Sequence, residues 1–259
     1  MGALTNELPK CMAPLAGAPL IHWQIAALRE AGIEEIGVVS GYRAEVLADV
    51  STTWRLTAFH NPQWSQTNMV MSLATAERWL AEGDCVVSYA DIVYTRETVA
   101  ALRDASGDLA ISYDPEWEHL WSSRSESPWE DAETFRRAAD GALLEIGGPV
   151  TRDTLREVQG QYMGLLKFTP RAWLQVKDIL EELPAPERQQ LSMTALLRKL
   201  LDRHFTIQTV ARTGPWGEAD NEKDLQVYET FLKSGVWQVD RKDGLPLLRG
   251  GDPPQSLAG

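Results

Sequence analysis

Short β-branched runs alternate with helix-patterned segments through the first half of the chain, and that alternation leaves few folds open. Ile36-Gly37-Val38-Val39-Ser40, closed by Gly41, and Cys85-Val86-Val87-Ser88-Tyr89-Ala90-Asp91 are nearly continuous apolar runs, as strands buried on both faces read. Between Pro19 and Ala31 the residues Ile21, Ile25 and Leu28 fall at i, i+4 and i+7. Pro19 suits a first helical position and Gly32 a stop, which predicts a helix there. A short helix is expected over 43–50, a strand over 54–59 ended by His60-Asn61-Pro62, and a helix over 68–80. Residues 95–105 read as helix and Leu109 to Asp114 as a further strand. Strands and helices in this order make βαβ units and a mainly parallel sheet.

The pattern changes between Pro115 and Gly148, where Trp117, Trp121 and Trp129 stand among charged residues. Asp140-Gly141 suits a hairpin turn before Leu143-Leu144-Glu145-Ile146. This stretch reads as an insertion at the sheet's edge. Later strands are expected over 162–168 and 205–211, with helices over 172–183, 194–203 and 221–233. Beyond Gly244 the Gly/Pro-rich end reads as a loose tail.

Charge narrows the function. With 25 Lys+Arg against 37 Asp+Glu the formal charge is −12, and no Lys/Arg cluster supplies the cationic face that nucleic acid requires. No apolar run reaches the roughly 20 residues of a spanning helix, and no secretory leader pattern precedes the first helix, so a cytoplasmic protein without a membrane partner is expected. The two cysteines, Cys11 and Cys85, lack the spacing of a disulfide or zinc motif and read as small buried side chains.

In an open α/β sheet, ligands collect beyond the carboxyl ends of the strands. Asp91 ends an apolar strand; a carboxylate there can hold Mg²⁺ against nucleotide phosphates or simply cap the next helix. Trp216-Gly217-Glu218-Ala219-Asp220 offers a second acidic group between a strand and a helix, and Asp220 has the same two readings, with Asn221 and Asp224 able to share the cap. Lys10, in Leu8-Pro9-Lys10-Cys11-Met12, follows a proline that keeps the chain extended. A lysine held in such a loop is a point charge for a phosphate, or else a solvated surface side chain.

These residues belong to a longer pattern. Leu4-Thr5-Asn6-Glu7-Leu8-Pro9-Lys10-Cys11-Met12-Ala13-Pro14-Leu15, Gly17-Ala18-Pro19-Leu20-Ile21, Val38-Val39-Ser40-Gly41-Tyr42-Arg43, the Asp91 strand and Trp216 to Asp220 together resemble the nucleotidyltransferases that activate sugar phosphates and related phosphoryl compounds. Thr67-Asn68-Met69-Val70-Met71-Ser72-Leu73 resembles the branch containing phosphocholine and 2-aminoethylphosphonate cytidylyltransferases. The resemblance implies a Rossmann-like three-layer α/β sandwich with a mixed, mostly parallel sheet. It further implies that Lys10 contacts phosphate, that Asn68, Ser72 and Ala90 line the nucleotide site, that Asp91 and Asp220 bind Mg²⁺, and that the strand through Tyr162 borders the acceptor. Residues 1–235 are then a nucleotidyltransferase domain with 115–150 as an acceptor-side insertion, and 236–259 a C-terminal tail. One departure stands out: such enzymes begin with a strand and a Gly-rich phosphate loop, and Met1-Gly2-Ala3-Leu4 starts where that loop would end, which leaves two readings, an upstream start, the preferred one, or a chain that has lost the loop.

The implied reaction is attack by a phosphate or phosphonate oxygen of a small acceptor on the α-phosphorus of CTP, with pyrophosphate leaving. No base is needed, because that oxygen is ionised at neutral pH, and His22, His60, His119 and His204 fall in no motif. A quaternary ammonium on the acceptor calls for an aromatic cage, for which Trp117, Trp121, Tyr162 and Trp216 are candidates, although each tryptophan reads equally as core. A primary amine calls for Glu218, and an anionic phosphonate for Arg124 or Lys167. The stretch from Trp117 to Arg124 is closer to the phosphonate members. A homodimer is compatible with the sequence. Two other readings stay open: a sugar-1-phosphate nucleotidyltransferase using UTP, GTP or dTTP, and a non-catalytic nucleotide-binding regulatory homologue.

Overall fold

The computed structural model describes residues 7–250. Leu4, Thr5 and Asn6 of the N-terminal motif, and residues 251–259 of the expected tail, lie outside the described residues.

After a 3-10 turn at Lys10–Met12, the elements in chain order are β1 (Pro14–Leu15), β2 (Ala18–Pro19), α1 (Leu20–Glu30), β3 (Gly37–Ser40), α2 (Ala44–Trp54), β4 (Thr57–His60), α3 (Met69–Ala74), α4 (Glu77–Glu82), β5 (Cys85–Ser88), β6 (Ile92–Tyr94), α5 (Arg96–Arg103) and β7 (Leu109–Asp114). The second half contains α6 (Trp117–Arg124), β8 (Glu133–Arg137), β9 (Leu143–Pro149), β10 (Gln161–Phe168), α7 (Pro170–Glu182), α8 (Ala185–Gln189), α9 (Met193–Asp202), β11 (Gln208–Ala211), β12 (Trp216–Glu218), α10 (Glu222–Lys233), β13 (Trp237–Lys242) and β14 (Leu245–Gly250). Side-chain caps start several helices: Thr95, Thr169 and Ser192 each accept a backbone N–H from the third residue on.

The central sheet has the order β11-β7-β10-β5. β11 is parallel to β7, and β10 is antiparallel to both β7 and β5, so three of the four strands share one direction and β10 opposes them. β3 and β4 pair in parallel as a separate ribbon. Two apolar clusters cover the two faces of the sheet. One gathers α1, α5, α6 and α10; the other gathers α3, α7 and α9, with Phe135 and Ile146 from the β8–β9 hairpin. These are the three layers of a Rossmann-like α/β sandwich.

Three differences from the sequence reading bear on the architecture. The helix expected over 68–80 is two, broken at Thr75-Ala76. The helix expected over 43–50 runs on to Trp54, and β4 starts only at Thr57. The expected loose tail is a hairpin: β13 and β14 pair in antiparallel across Asp243-Gly244, whose positive φ values of 52° and 82° are those of a tight I′-type turn. Trp237 stacks on Tyr228 at 5.0 Å, and Leu245, Leu247 and Leu248 are buried in the α1-side cluster. Apolar burial therefore fixes a segment whose Gly/Pro content suggested freedom.

Candidate active site

The site is assembled by pairing two short strands that lie far apart in the chain. β12 pairs antiparallel with β6, Glu218 opposite Ile92, and the next residue, Ala219, donates its N–H to the Asp91 carbonyl at 2.9 Å. Asp91 and Asp220 therefore leave adjacent strand ends together. Gln24 of α1 fixes the Asp91 turn from below, its Nε2 donating to the Tyr89 and Ile92 carbonyls at 2.9 and 2.7 Å. On the other side, Gly217 lies so close to Tyr228 that an added Cβ would stand 2.4 Å from the phenol ring. The Tyr228 hydroxyl donates to the Glu218 carbonyl at 2.6 Å. α10 is thereby locked against the strand that carries the acids.

Lys10 arrives from the N-terminal turn, and its Nζ donates to Asp91 Oδ2 at 2.6 Å and to Asp220 Oδ1 at 2.8 Å. Burial alone would lower the Lys10 pKa, but the two carboxylates outweigh it and raise the pKa, so the ammonium stays charged. Burial pushes Asp220 up, and the bonds and charge of Lys10 and Arg124 bring it below the ordinary value. For Glu218, burial first and then the charges of Asp220 and Asp91 outweigh the charges of Arg124 and Lys10 and push its carboxyl up to about 8.

Asp91, Glu218 and Asp220 each offer a carboxylate oxygen within 4.8 Å of the others. Asp91 Oδ1 is buried without a hydrogen-bond partner. An orphaned buried acceptor and a neighbouring carboxyl whose ionisation is opposed by burial and by its neighbours' charge are what a hard divalent cation would relieve, so the donor set suits Mg²⁺.

The other expected site residues fall into two groups. Ala90 lies in the wall between a small cavity at Lys10 and Asp220 and a large one along β5. Ser72 lines the large cavity, where its Oγ accepts from Asn61 at 3.0 Å. Asn68 is the N-cap of α3, its Oδ1 accepting from the Met69 N–H at 2.7 Å. Tyr162 meets Tyr89 edge to ring at 5.8 Å, and Gly164 at φ +77° makes room for that tyrosine, whose ring lies 2.7 Å from an added Cβ.

Five residues offered for the acceptor on sequence grounds have other partners. Arg124 is buried, its Nη2 donating to Asp220 Oδ2 at 2.9 Å and its Nε to Asp224 Oδ1 at 3.0 Å; these two nitrogens hold the acids, while Nη1 is buried without a hydrogen-bond partner. Lys167 lies opposite Val86, toward the amino end of β5 and away from Asp91, and donates to the Ala105 carbonyl at 2.8 Å. Trp216 is buried, donates to Asp114 Oδ2 at 2.8 Å and packs on Trp121, and Trp117 and Trp121 are also core, so these indoles form no cage. Asp224 was legible only as a helix cap. It does close a capping box with Asn221, and its Oδ2 also accepts the Asp220 N–H at 2.8 Å.

The profile of the MobA-like NTP transferase domain matches residues 1–157. The CTP:phosphoglutamine cytidylyltransferase of Campylobacter jejuni is 34% identical over 238 residues, which cover 86% of this chain and 92% of that protein. The 2-aminoethylphosphonate cytidylyltransferase of Lancefieldella rimae is 30% identical over 100 residues, 38% of this chain and 41% of that protein. The solved CTP:phosphocholine cytidylyltransferase of Streptococcus pneumoniae superposes with a TM-score of 0.69 at 17% identity, covering 90% of this chain and 93% of that one, a likeness of fold. Three segments distant in sequence thus converge on one acidic, lysine-bearing cleft in a nucleotidyltransferase fold, and the chain belongs to the MobA-like NTP transferase family as an enzyme resembling the cytidylyltransferases.

Proposed function

We propose that this enzyme transfers the cytidylyl group of CTP to the phosphoryl group of a small acceptor, with phosphoglutamine the first candidate and Mg²⁺ as cofactor. The observation that carries the reading is Lys10 held between Asp91 and Asp220, with Glu218 beside them. Similarity to the Campylobacter jejuni enzyme over most of both chains supports CTP as donor and phosphoglutamine ahead of phosphocholine or 2-aminoethylphosphonate.

A phosphoryl oxygen of the acceptor attacks the α-phosphorus of CTP, a new P–O bond forms, and the bond to pyrophosphate breaks. A phosphoryl or phosphonate group carries at least one ionised oxygen at neutral pH, so the protein need hold no base for it. Asp91, Asp220 and Glu218 would hold Mg²⁺, which neutralises developing charge on the transferring group. Lys10 supplies a fixed positive charge beside them. Arg124 and Asp224 keep Asp220 in place and are positioning residues. Asn68, Ser72 and Ala90 are assigned to the nucleotide side and Tyr162 to the acceptor side.

Pyrophosphate release tests the proposal, with CTP offered phosphoglutamine, phosphocholine and 2-aminoethylphosphonate, and with UTP, GTP and dTTP offered sugar 1-phosphates. Turnover is expected with CTP and phosphoglutamine. Turnover only with a sugar 1-phosphate would replace this reading, and nucleotide binding without any turnover would favour a regulatory protein.

A further inference from the structure

Glu133 opens β8, and its backbone is held on both sides: its N–H donates to Gln161 Oε1 at 3.1 Å and its carbonyl accepts from Gln161 Nε2 at 2.7 Å, Gln161 itself being buried. That clamp fixes Glu133 beside the first residues of β10, the strand that carries Tyr162. Its side chain is partly buried, yet among the described residues its carboxylate accepts no hydrogen bond and joins no ion pair. Burial pushes that carboxyl up, with the charge of Arg198 opposing the rise and that of Asp131 adding to it. Arg198, from the second turn of α9, reaches the same place. Its Nη1 donates to the Gly147 carbonyl at 3.0 Å, and Glu133 Oε2 lies 3.7 Å from where a Cβ on Gly147 would stand. β9 is close on the start of α9 there, with that same Cβ only 2.8 Å from the Thr194 Cβ. Two opposite charges thus converge on one residue of β9, and no ion pair joins them. Toward the reaction centre, the Tyr162 hydroxyl is buried with no hydrogen bond of ordinary geometry. It and the Tyr89 hydroxyl feel the charges of both Glu218 and Glu133, so Glu133 borders the same cleft as the three acids.

We propose that Glu133 and Arg198 form the subsite for the far end of the acceptor, and that this end is an α-amino acid, its ammonium on Glu133 and its carboxylate on Arg198, with the Tyr162 hydroxyl as a further polar contact. The proposal rests on the transferase reading and on Tyr162 bordering the acceptor. Opposite charges held apart suit a ligand that carries both charges on one carbon, because each unpaired group then gains the charged partner that the fold withholds. A quaternary ammonium has no N–H to donate to Glu133, and 2-aminoethylphosphonate leaves Arg198 unused. Glutamine phosphorylated on its side-chain amide offers both groups. Since Gln161 already holds the Glu133 backbone, binding orders little further chain.

Acceptor kinetics with CTP test the subsite, using glutamine phosphorylated on the side-chain amide and its α-carboxamide, in which a neutral amide replaces the carboxylate. On the wild type the α-carboxamide is expected to show a KM at least about tenfold above that of the parent acceptor, the loss of one charge-assisted contact. Arg198→Met should raise the KM of the parent by a similar factor and abolish the difference between the two acceptors. Glu133→Gln should raise the KM of both and keep the difference. In each variant kcat and the KM for CTP should stay within about twofold of wild type, as befits a contact made equally in ground and transition states. The Arg198→Met comparison sets two acceptors against each other on one variant, so a general loosening of β9 does not produce the cancellation. Equal KM values for the two acceptors on the wild type, a difference that survives Arg198→Met, or an unchanged KM in Glu133→Gln would overturn the subsite while the transferase reading stands. A wild type that turns over neither acceptor would bring down the phosphoglutamine reading, and the subsite with it.

Discussion

Arg124 is the sharpest test of how the acids are held. Its side chain is 5% exposed and that of Asp224 2%, and the guanidinium bonds both Asp224 and Asp220. In Arg124→Met the stem volume stays and the charge goes, leaving Asp224 buried beside Asp220. Breaking a buried pair from one side costs roughly 3–5 kcal/mol, and Asp224 keeps the Asp220 and Asn221 N–H donors, which points to about 3 kcal/mol. At 2–4 °C per kcal/mol for a domain of this size, the melting midpoint should drop by about 6–12 °C. Adding Asp224→Asn removes the uncompensated charge and should recover about half of that loss, a non-additivity that urea denaturation of both single variants and the double variant measures. Turnover should fall in Arg124→Met because Asp220 loses its anchor. A single variant within about 1 kcal/mol of wild type, or two costs that merely add, would refute this account of the cluster.

Other expectations are simpler. Trp216→Phe leaves Asp114 Oδ2 without its donor, so about 1–3 kcal/mol of stability should be lost in urea denaturation with acceptor KM unchanged; a raised KM at full stability would restore the cage. Trp237→Ala removes the ring stacked on Tyr228 and should cost about 3–5 kcal/mol, whereas a loose tail would lose nothing. His22 is partly buried and accepts from the Trp54 indole N–H at 3.2 Å, and burial lowers its pKa. Its neutral form is favoured in the fold, so the contribution is complete above the unfolded value near 6.5 and is lost as pH falls toward the lowered folded value. His22→Gln should flatten that part of the stability–pH curve; an unchanged slope would remove His22 from it.

The sheet was legible where periodicity and punctuation agree, as in Leu109–Asp114, which the structure reproduces to the residue. The positions of Asp91 and Asp220 beyond strand ends were also legible; the β6–β12 pairing that brings them together is long-range and was not. Arg124 looked like an anion site because sequence shows its charge and not Asp224, a hundred residues on. Lys167 was misplaced for a different reason: strand alternation gives the face of the sheet a side chain leaves from, not which end of the strand lies at the cleft. The Asp243-Gly244 turn was a readable hairpin signal, the same one that marked Asp140-Gly141, masked by the Gly/Pro-rich residues after it.

The central claim is that Lys10, Asp91, Asp220 and Glu218 form a metal-dependent cytidylyl-transfer centre. Pyrophosphate release from CTP and phosphoglutamine, followed with added Mg²⁺ and with chelator, for the wild type and for Asp91→Asn, addresses it most directly. The account predicts turnover that chelator abolishes and Mg²⁺ restores, and that Asp91→Asn lowers by orders of magnitude while the variant stays folded. Turnover indifferent to chelator, or near-normal rates in Asp91→Asn, would contradict it.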